Sequence, residues 1–191
     1  MVSGPERRRE LRLELRDPRA TLDEGAQAAA SMAVMARLAA APVLRDASLV
    51  SGYRAVRGEL DIDAALLLLR ERGATITVPR VVGEDLVFTV WDPTVEGVVG
   101  AFGIPEPTPG PAFPLRAHDV VLLPVVAFDG RGNRLGQGGG YYDRALGALG
   151  QQRPLVVGVA HTFQEDESVP TEPWDIRLDA IVTEDDHRDF A

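Results

Sequence analysis

A nearly continuous apolar run at residues 119–126 restricts the possible folds more than any other part of the sequence. A strand without polar positions must be covered on both faces, as in the parallel sheets of α/β proteins. Similar runs follow at residues 155–160 and 178–183. Helical segments alternate with such strands, which predicts a layered α/β fold with a largely parallel central sheet. A chain of 191 residues is expected to form one domain, residues 1–191.

Capping and helix-breaking residues predict the remaining elements. The first helix is expected to end at about Arg16, before Pro18, because proline interrupts a helix. Thr21 and Glu24 have the spacing of a capping box, which predicts an Ala-rich second helix that stops before Pro42. We further expect a Leu-rich helix from Asp61 or Asp63 to Gly73, strands at 48–53, 75–78 and 86–91, an irregular loop at 103–114, and a helix at 141–149.

The composition excludes several kinds of chemistry. All 20 basic residues are arginines, and the chain contains neither lysine nor cysteine. Lysine Schiff bases, disulfides and thiolate zinc sites are therefore excluded. With a formal net charge of −9, the sequence lacks the basic face of a nucleic-acid-binding protein. No apolar run is long enough to cross a bilayer. We therefore expect a cytoplasmic protein with neither nucleic-acid nor membrane partners.

A glycine-rich segment follows the apolar run, Asn133-Arg134-Leu135-Gly136-Gln137-Gly138-Gly139-Gly140-Tyr141-Tyr142-Asp143-Arg144. Glycines allow positive φ angles and close approach of a ligand, and the start of the following helix attracts anions. Arg134 and Arg144 flank the loop and can each bind a phosphate through two hydrogen bonds. The segment is not a Walker A loop and matches the dinucleotide fingerprint poorly. The residues alone predict an anion-binding loop, with a plain glycine turn as the alternative.

Taken whole, this segment resembles the signature of the 5-formyltetrahydrofolate cyclo-ligases, also called 5,10-methenyltetrahydrofolate synthetases. Other stretches that resemble the family occur in the same order, so the resemblance covers nearly the whole chain. They are Arg8 with Leu11-Arg12, Gly58-Glu59-Leu60-Asp61, Val78-Pro79-Arg80, residues 102–107, Gln164 and residues 175–179. The resemblance implies a three-layer sandwich similar to the ribose-phosphate isomerase and CoA transferase fold. It also implies that 5-formyltetrahydrofolate and ATP give 5,10-methenyltetrahydrofolate, ADP and phosphate, through phosphorylation of the formyl oxygen.

The resemblance assigns roles to particular residues. ATP would be bound by Arg8, Arg12, Arg134, Leu135, Gly136, Gln137, Gly138, Gly139, Gly140, Tyr141 and Tyr142. The folate substrate would be bound by Arg54, Glu59, Phe102 and Tyr142. Arg134, Tyr142 and Arg144 would be catalytic, and Asp143 and Asp175 would hold Mg²⁺, for which carboxylates are suitable ligands. Without the resemblance, Asp143 could simply favour a helix start, and Arg8 and Arg12 could form a solvated helix face.

Three positions depart from the family's pattern. Arg8 stands where lysine is usual, Gln137 where tyrosine or arginine is frequent, and Val125-Val126 where Gly-Leu is usual. Arginine keeps the positive charge of lysine but replaces a point charge by a planar fork. None of these changes removes a group that the implied chemistry requires. Trp91 and Trp174 are interpreted as packing residues.

Two other functions stay open. A divergent paralogue with the same ATP loop could act on another cofactor precursor, and would then not need Glu59 or Phe102. A non-catalytic module could bind nucleotide or folate without consuming ATP. In each case we expect a monomer or a weak homodimer. His118, His161 and His187 lack the spacing of metal ligands and are assigned no role.

Overall fold

The structure, a computed structural model, describes residues 4–95, 97–100 and 103–190. The α-helices are α1 Gly4–Ala20, α2 Glu24–Ala40, α3 Pro42–Arg45, α4 Asp63–Glu71 and α5 Tyr141–Gly147. The strands are β1 Leu49–Ser51, β2 Thr75–Val82, β3 Asp85–Val90, β4 Val98–Val99, β5 Pro105–Glu106, β6 Ala112–Phe113, β7 Val120–Pro124, β8 Ala127–Phe128, β9 Arg134–Leu135, β10 Leu155–Val159, β11 Ala180–Val182 and β12 His187–Asp189.

Eight strands form one sheet in the order β12-β11-β10-β7-β1-β2-β3-β6. The five strands from β11 to β2 run parallel. At one edge β12 pairs antiparallel with β11, and at the other edge β3 pairs antiparallel with both β2 and β6. Val120 of β7 lies opposite both Val50 of β1 and Leu155 of β10. The parallel centre brings the carboxyl ends of β1 and β7 to the same edge of the sheet, where ligands bind in open α/β sheets.

Both faces of the sheet are buried. Along β7, Val120 and Leu122 belong to a core that includes residues of α2, α3 and α4. Val121 and Leu123 belong to a second core on the opposite face, with Leu146 of α5. Alternate residues of one strand therefore pack into different layers, as the apolar run requires. The predicted layered α/β fold with a largely parallel sheet is confirmed.

The predicted end of the first helix is wrong. α1 continues through Pro18 as far as Ala20 instead of stopping at Arg16. Proline removes one hydrogen bond from a helix interior, but a tertiary contact holds the last turn in place. Arg19 is buried and donates from Nε to the carbonyl of Arg57 (3.1 Å).

Local contacts also replace the predicted capping box. Asp23 caps α2, because its carboxylate accepts a hydrogen bond from the amide of Ala26 (2.9 Å), while the Thr21 hydroxyl bonds to the carbonyl of Pro18 (3.1 Å). Residues 103–114, expected to be irregular, contribute β5 and β6. In the part of the chain that is described, no helix has both the length and the apolar character required to span a membrane.

Candidate functional site

A cavity of about 610 Å³ lies at the carboxyl ends of β1 and β7. This volume suits a small organic ligand. Most residues of the predicted site line it, namely Arg8, Arg12, Arg54, Glu59, Arg134, Gly136, Gln137, Gly138, Gly139, Gly140, Tyr141, Tyr142, Asp143, Arg144 and Asp175. Leu135 does not, because its side chain is fully buried in a third core beside Leu11. Phe102 lies outside the described residues.

Arginines of α1 hold the glycine loop, residues 136–140, by its carbonyl groups. Arg12 donates from Nε to the carbonyl of Gly136 (2.9 Å), and Arg16 donates from Nη2 to the carbonyl of Gln137 (2.9 Å). The C=O and N–H groups of a trans peptide point in opposite directions. The amides of Gln137 and Gly138 therefore face away from these guanidinium groups.

The C-terminal half of the glycine loop depends on glycine. Gly138 and Gly140 have φ angles of +104° and +66°, in the left-handed region that other residues avoid. A Cβ atom at Gly140 would lie 2.9 Å from Nη1 of Arg144. The same nitrogen donates to the carbonyl of Gly139 (2.8 Å), and the guanidinium lies 4.9 Å from the ring centre of Tyr141. Arg144 therefore fixes the turn into α5.

Arg134 and Tyr142 each bring a buried donor without a partner to the cavity wall. Arg134 is 5% exposed, and its Nη2 donates to Oδ1 of Asp143 (2.6 Å), which also accepts from the amide of Ile176 (3.0 Å). Among the described residues, neither Nε of Arg134 nor the hydroxyl of Tyr142 has a hydrogen-bond partner. Burial raises the pKa of the Tyr142 hydroxyl well above its usual range, so it stays a donor. Unpartnered buried donors are unfavourable, and a bound oxyanion would satisfy both.

Two carboxylates of the cavity are paired with arginines. Asp175 accepts from Nη1 of Arg8 (2.5 Å), and Asp143 accepts from Arg134. Burial alone would raise the pKa of Asp175, but the hydrogen bond from Arg8 helps to hold it below its usual value. No three His, Asp or Glu side chains of the described residues form a group that could hold a metal by themselves. Mg²⁺ commonly takes one or two carboxylates together with phosphate oxygens, so Asp143 and Asp175 fit a site that a nucleotide completes.

The cavity is electropositive although the chain is acidic. Among the described residues, seven arginines line it against four carboxylates, whereas the whole sequence has a net charge of −9. Burial lowers the pKa of Arg12, and the neighbouring charges of Arg8 and Arg16 lower it further. Several partly buried positive charges that lie close together attract a polyanion.

Glu59 lies at another part of the same wall and is 7% exposed. Its Oε2 accepts from the amide of Val56 (3.1 Å), and its Oε1 accepts from Nε2 of Gln137 (3.1 Å). Nη2 of Arg19 lies 3.7 Å from the same Oε1. Burial raises the pKa of Glu59, and the positive charge of Arg19 opposes this rise. A buried carboxylate of this kind accepts hydrogen bonds from a ligand's N–H groups.

Arg54 lines the cavity with its guanidinium already engaged. Its Nη1 donates to Oδ2 of Asp63 (2.5 Å), and its Cζ lies 5.5 Å from the ring centre of Trp91. Trp91 is 7% exposed, which agrees with its interpretation as a packing residue. The predicted substrate contact of Arg54 therefore requires the ligand to share it with Asp63.

Sequence reasoning gave no site role to several lining residues, among them Trp174, Arg16 and Glu106. Trp174 is 66% exposed, so its interpretation as a packing residue is wrong. Arg16 could have been found, because it continues the four-residue spacing of Arg8 and Arg12 along one helix face. Glu106, which is 5% exposed, gave no sequence signal of its own.

Comparisons of the sequence and of the fold with known proteins lead to one family. A sequence model of the 5-formyltetrahydrofolate cyclo-ligase family matches residues 5–184. The 5-formyltetrahydrofolate cyclo-ligase of Escherichia coli is 36% identical over 152 residues, which are 77% of this chain and 84% of that protein. The Haemophilus influenzae protein of the same name is 32% identical over 182 residues, or 93% and 97% of the two chains. The solved structure of Aquifex aeolicus 5,10-methenyltetrahydrofolate synthetase is similar with a TM-score of 0.82 and 35% identity, covering 95% of this chain and 92% of that one.

Proposed function

Because the chain belongs to the 5-formyltetrahydrofolate cyclo-ligase family, we propose that it uses ATP to convert 5-formyltetrahydrofolate into 5,10-methenyltetrahydrofolate, with release of ADP and phosphate. The enzyme is thus a ligase of folate one-carbon metabolism. The observation that carries the proposal is one cavity that joins the glycine loop, with arginines around it, to the buried carboxylate of Glu59. The loop suits the phosphates of a nucleotide, and the carboxylate suits the N–H edge of a pterin ring.

The proposed reaction has two steps. The formyl oxygen attacks the terminal phosphorus of ATP, and ADP leaves. N10 of the folate then attacks the formyl carbon, the carbon–oxygen bond breaks with release of phosphate, and N10 loses its proton as the ring closes. Phosphorylation is needed because an amide oxygen is a poor leaving group.

The protein has to position the reactants and neutralise charge on the phosphoryl oxygens. Nε of Arg134 and the hydroxyl of Tyr142 are two buried donors on residues of the cavity wall that have no partner among the described residues. The loop amides add further donors, and Arg144 keeps the loop in shape. Mg²⁺, if held by Asp143 and Asp175, would supply additional positive charge beside the phosphates.

The decisive experiment follows the absorbance of methenyl-folate after 5-formyltetrahydrofolate is added to the purified protein. We expect product only when ATP and Mg²⁺ are both present, with one ADP released per product. Absence of turnover by folded protein would contradict the proposal. Two further outcomes identify the alternatives: failure to bind folate indicates another acceptor, and ATP binding without phosphate release indicates a non-catalytic module.

A further inference from the structure

Side chains from other parts of the chain contact the backbone carbonyls of the segment that carries Glu59. The carbonyl of Gly58 accepts from Nε2 of Gln27 (3.3 Å) and lies 3.1 Å from Nε2 of His161. The carbonyl of Glu59 itself accepts from the same Gln27 nitrogen (2.8 Å). Arg57 has a φ angle of +53°, a strained conformation for a residue with a side chain. These contacts fix the backbone, so the direction of the Glu59 side chain depends on what meets its carboxylate.

Arg19, in the last turn of α1, meets that carboxylate from the protein interior. Its side chain is 2% exposed, and Nη2 lies 3.7 Å from Oε1 of Glu59. Nε is anchored by the carbonyl of Arg57 (3.1 Å). Of the described arginines of this helix, Arg8, Arg12 and Arg16 line the cavity, whereas Arg19 does not. A buried arginine that reaches a binding residue without reaching the ligand can act only through that residue.

We propose that Arg19 is a positioning residue, which keeps the Glu59 carboxylate ionised and directed at the N–H groups of the bound pterin. The inference rests on the proposed function, because it takes Glu59 to be the acceptor for the pterin. An ionised carboxylate only accepts hydrogen bonds, whereas a protonated one presents a hydroxyl donor. A protonated Glu59 would therefore present a hydroxyl donor to the N–H groups of the substrate, which are donors themselves.

The other charged and titratable groups near Glu59 do not replace Arg19. Those that face it or its immediate neighbours are Arg57, Tyr53, Asp61, Tyr142 and, through Tyr142, Arg134. Of the two arginines whose charges act on Glu59 directly, Arg57 is exposed and Arg19 is buried. Burial raises the pKa of Glu59, and the charge of Arg19 is the largest effect that opposes this rise.

The first test measures Glu59 without any ligand. Carboxyl ¹³C NMR, with the Glu59 signal identified by its loss in Glu59→Gln, follows protonation in the wild type, Arg19→Met and Arg19→Lys. Methionine keeps the aliphatic bulk, and lysine restores the charge. We expect the midpoint of Glu59 to rise by about one pH unit or more in Arg19→Met, since one unit corresponds to a tenfold change in proton affinity. In Arg19→Lys it should return most of the way. An unchanged midpoint in Arg19→Met overturns the inference whatever the substrate is.

The second test measures binding of 5-formyltetrahydrofolate by calorimetry at pH 6 and pH 8, in buffers with different ionisation enthalpies. Wild-type binding should change less than about twofold and involve no net proton release. In Arg19→Met, binding should weaken between pH 8 and pH 6 by a larger factor than in the wild type, with release of a proton from Glu59. Arg37→Met is the matched control, since Arg37 also joins two elements through a carbonyl, that of Asp185 (2.8 Å), away from Glu59.

The outcomes separate the two proposals. Weaker binding in Arg19→Met without proton release and without pH dependence would mean a purely structural role and would overturn the inference. If Arg19→Met does not fold, Arg19→Gln is measured in its place. Failure of the wild type to bind or convert the folate contradicts the proposed function instead, and the NMR midpoint still decides whether Arg19 controls Glu59.

Discussion

Nε of Arg134 and the hydroxyl of Tyr142 are buried donors without a partner among the described residues, as is Nε of Arg16, and all three residues line the cavity. Leaving such a group unsatisfied destabilises a protein by about 1–3 kcal/mol. Arg134 and Tyr142 lie on one cavity wall, beside the glycine loop whose amides turn away from Arg12 and Arg16.

Replacement of Arg134 by alanine should lower the turnover rate by roughly 10²-fold or more, as for loss of a preorganised charge-stabilising donor. The measurement is the absorbance assay with saturating ATP and folate. Arg188→Ala is the matched control, because Arg188 forms a comparable pair with Glu165 (2.7 Å) on the surface. Near-normal turnover of Arg134→Ala, or an equal loss in Arg188→Ala, would contradict the role of Arg134.

Replacement of Tyr142 by phenylalanine should separate activity from stability. The rate should fall by about threefold to tenfold, the value of one neutral hydrogen bond. Stability in urea should be unchanged or slightly higher, because the hydroxyl has no partner in the free protein. Tyr53→Phe provides the contrast: the Tyr53 hydroxyl donates to the carbonyl of Leu60 (2.6 Å), so its loss should destabilise by about 1 kcal/mol. Equal stability losses in the two variants would refute the assignment.

The connection between β1 and α4 has a particular backbone conformation next to Glu59. Gly58 has a φ angle of +75°, and a Cβ atom there would lie 2.2 Å from the carbonyl oxygen of Arg19. Any side chain at this position must displace either Arg19 or the backbone that precedes Glu59. The end of α1 and the Glu59 segment therefore form one unit.

Gly58→Ala and Gly73→Ala test this close approach as a pair. Both glycines have positive φ angles, but no atom lies within 4 Å of a Cβ atom built at Gly73. Gly73→Ala should destabilise by about 1 kcal/mol, from backbone strain alone. Gly58→Ala should destabilise by about 2–4 kcal/mol, since overpacking adds to the strain. Urea unfolding measures both values. A difference of less than about 0.5 kcal/mol would show that the contact with Arg19 is easily relieved.

The sequence predicted those elements whose residue pattern is compatible with only one kind of secondary structure. The apolar runs that became β7, β10 and β11 were placed within two residues of their bounds, because central parallel strands must be apolar throughout. Strands β4, β5, β6, β8 and β9 have two residues each, too few to show an alternating pattern. The continuation of α1 through Pro18 was also hidden, because it depends on the contact of Arg19 with a carbonyl 38 residues away.

The candidate site also has a part that the sequence could predict and a part that it could not. The glycine loop could be recognised because its residues are consecutive and need particular backbone conformations. Its contact with Glu59 could not, because Gln137 and Glu59 are 78 residues apart and meet only in the folded chain. Exposure of Trp174 likewise follows from the path of the chain around Asp175 and not from any local pattern. The functional roles of these residues remain predictions.

Beyond single elements, the distribution of charge sets the response of the molecule to acid. Asp129 is fully buried and joins the β8–β9 pair to Val169, whose amide donates to it (3.1 Å). Burial alone would raise the pKa of Asp129, but hydrogen bonds from Asn133, Arg131 and Val169 outweigh it and lower the pKa. A carboxylate with a lowered pKa in the folded state stabilises the protein above its unfolded pKa, about 3.9. This stabilisation is lost as the pH falls through the folded value.

Asp129→Asn should therefore destabilise the protein by about 2 kcal/mol at pH 7, the value of hydrogen bonds to a charged group. The difference between wild type and variant should be smaller at pH 3, because the unfolded wild-type chain there takes up a proton at Asp129 more readily than the folded protein does. Urea unfolding monitored by circular dichroism at the two pH values gives the comparison. A gap of the same size at both would mean that ionisation of Asp129 does not contribute.

The hydrogen bond from Gln137 to Glu59 has a consequence for the order of events in catalysis. If a ring N–H of the folate binds the Glu59 carboxylate as proposed, it competes with the Gln137 amide for that carboxylate. If ATP contacts Gln137 as predicted, its binding also breaks this hydrogen bond, so the ligand that binds second does not have to break it. Each ligand should then raise the affinity for the other by the same factor. Titrations of folate with and without a non-hydrolysable ATP analogue, and the reverse, would measure that factor, and Gln137→Ala should bring it close to one.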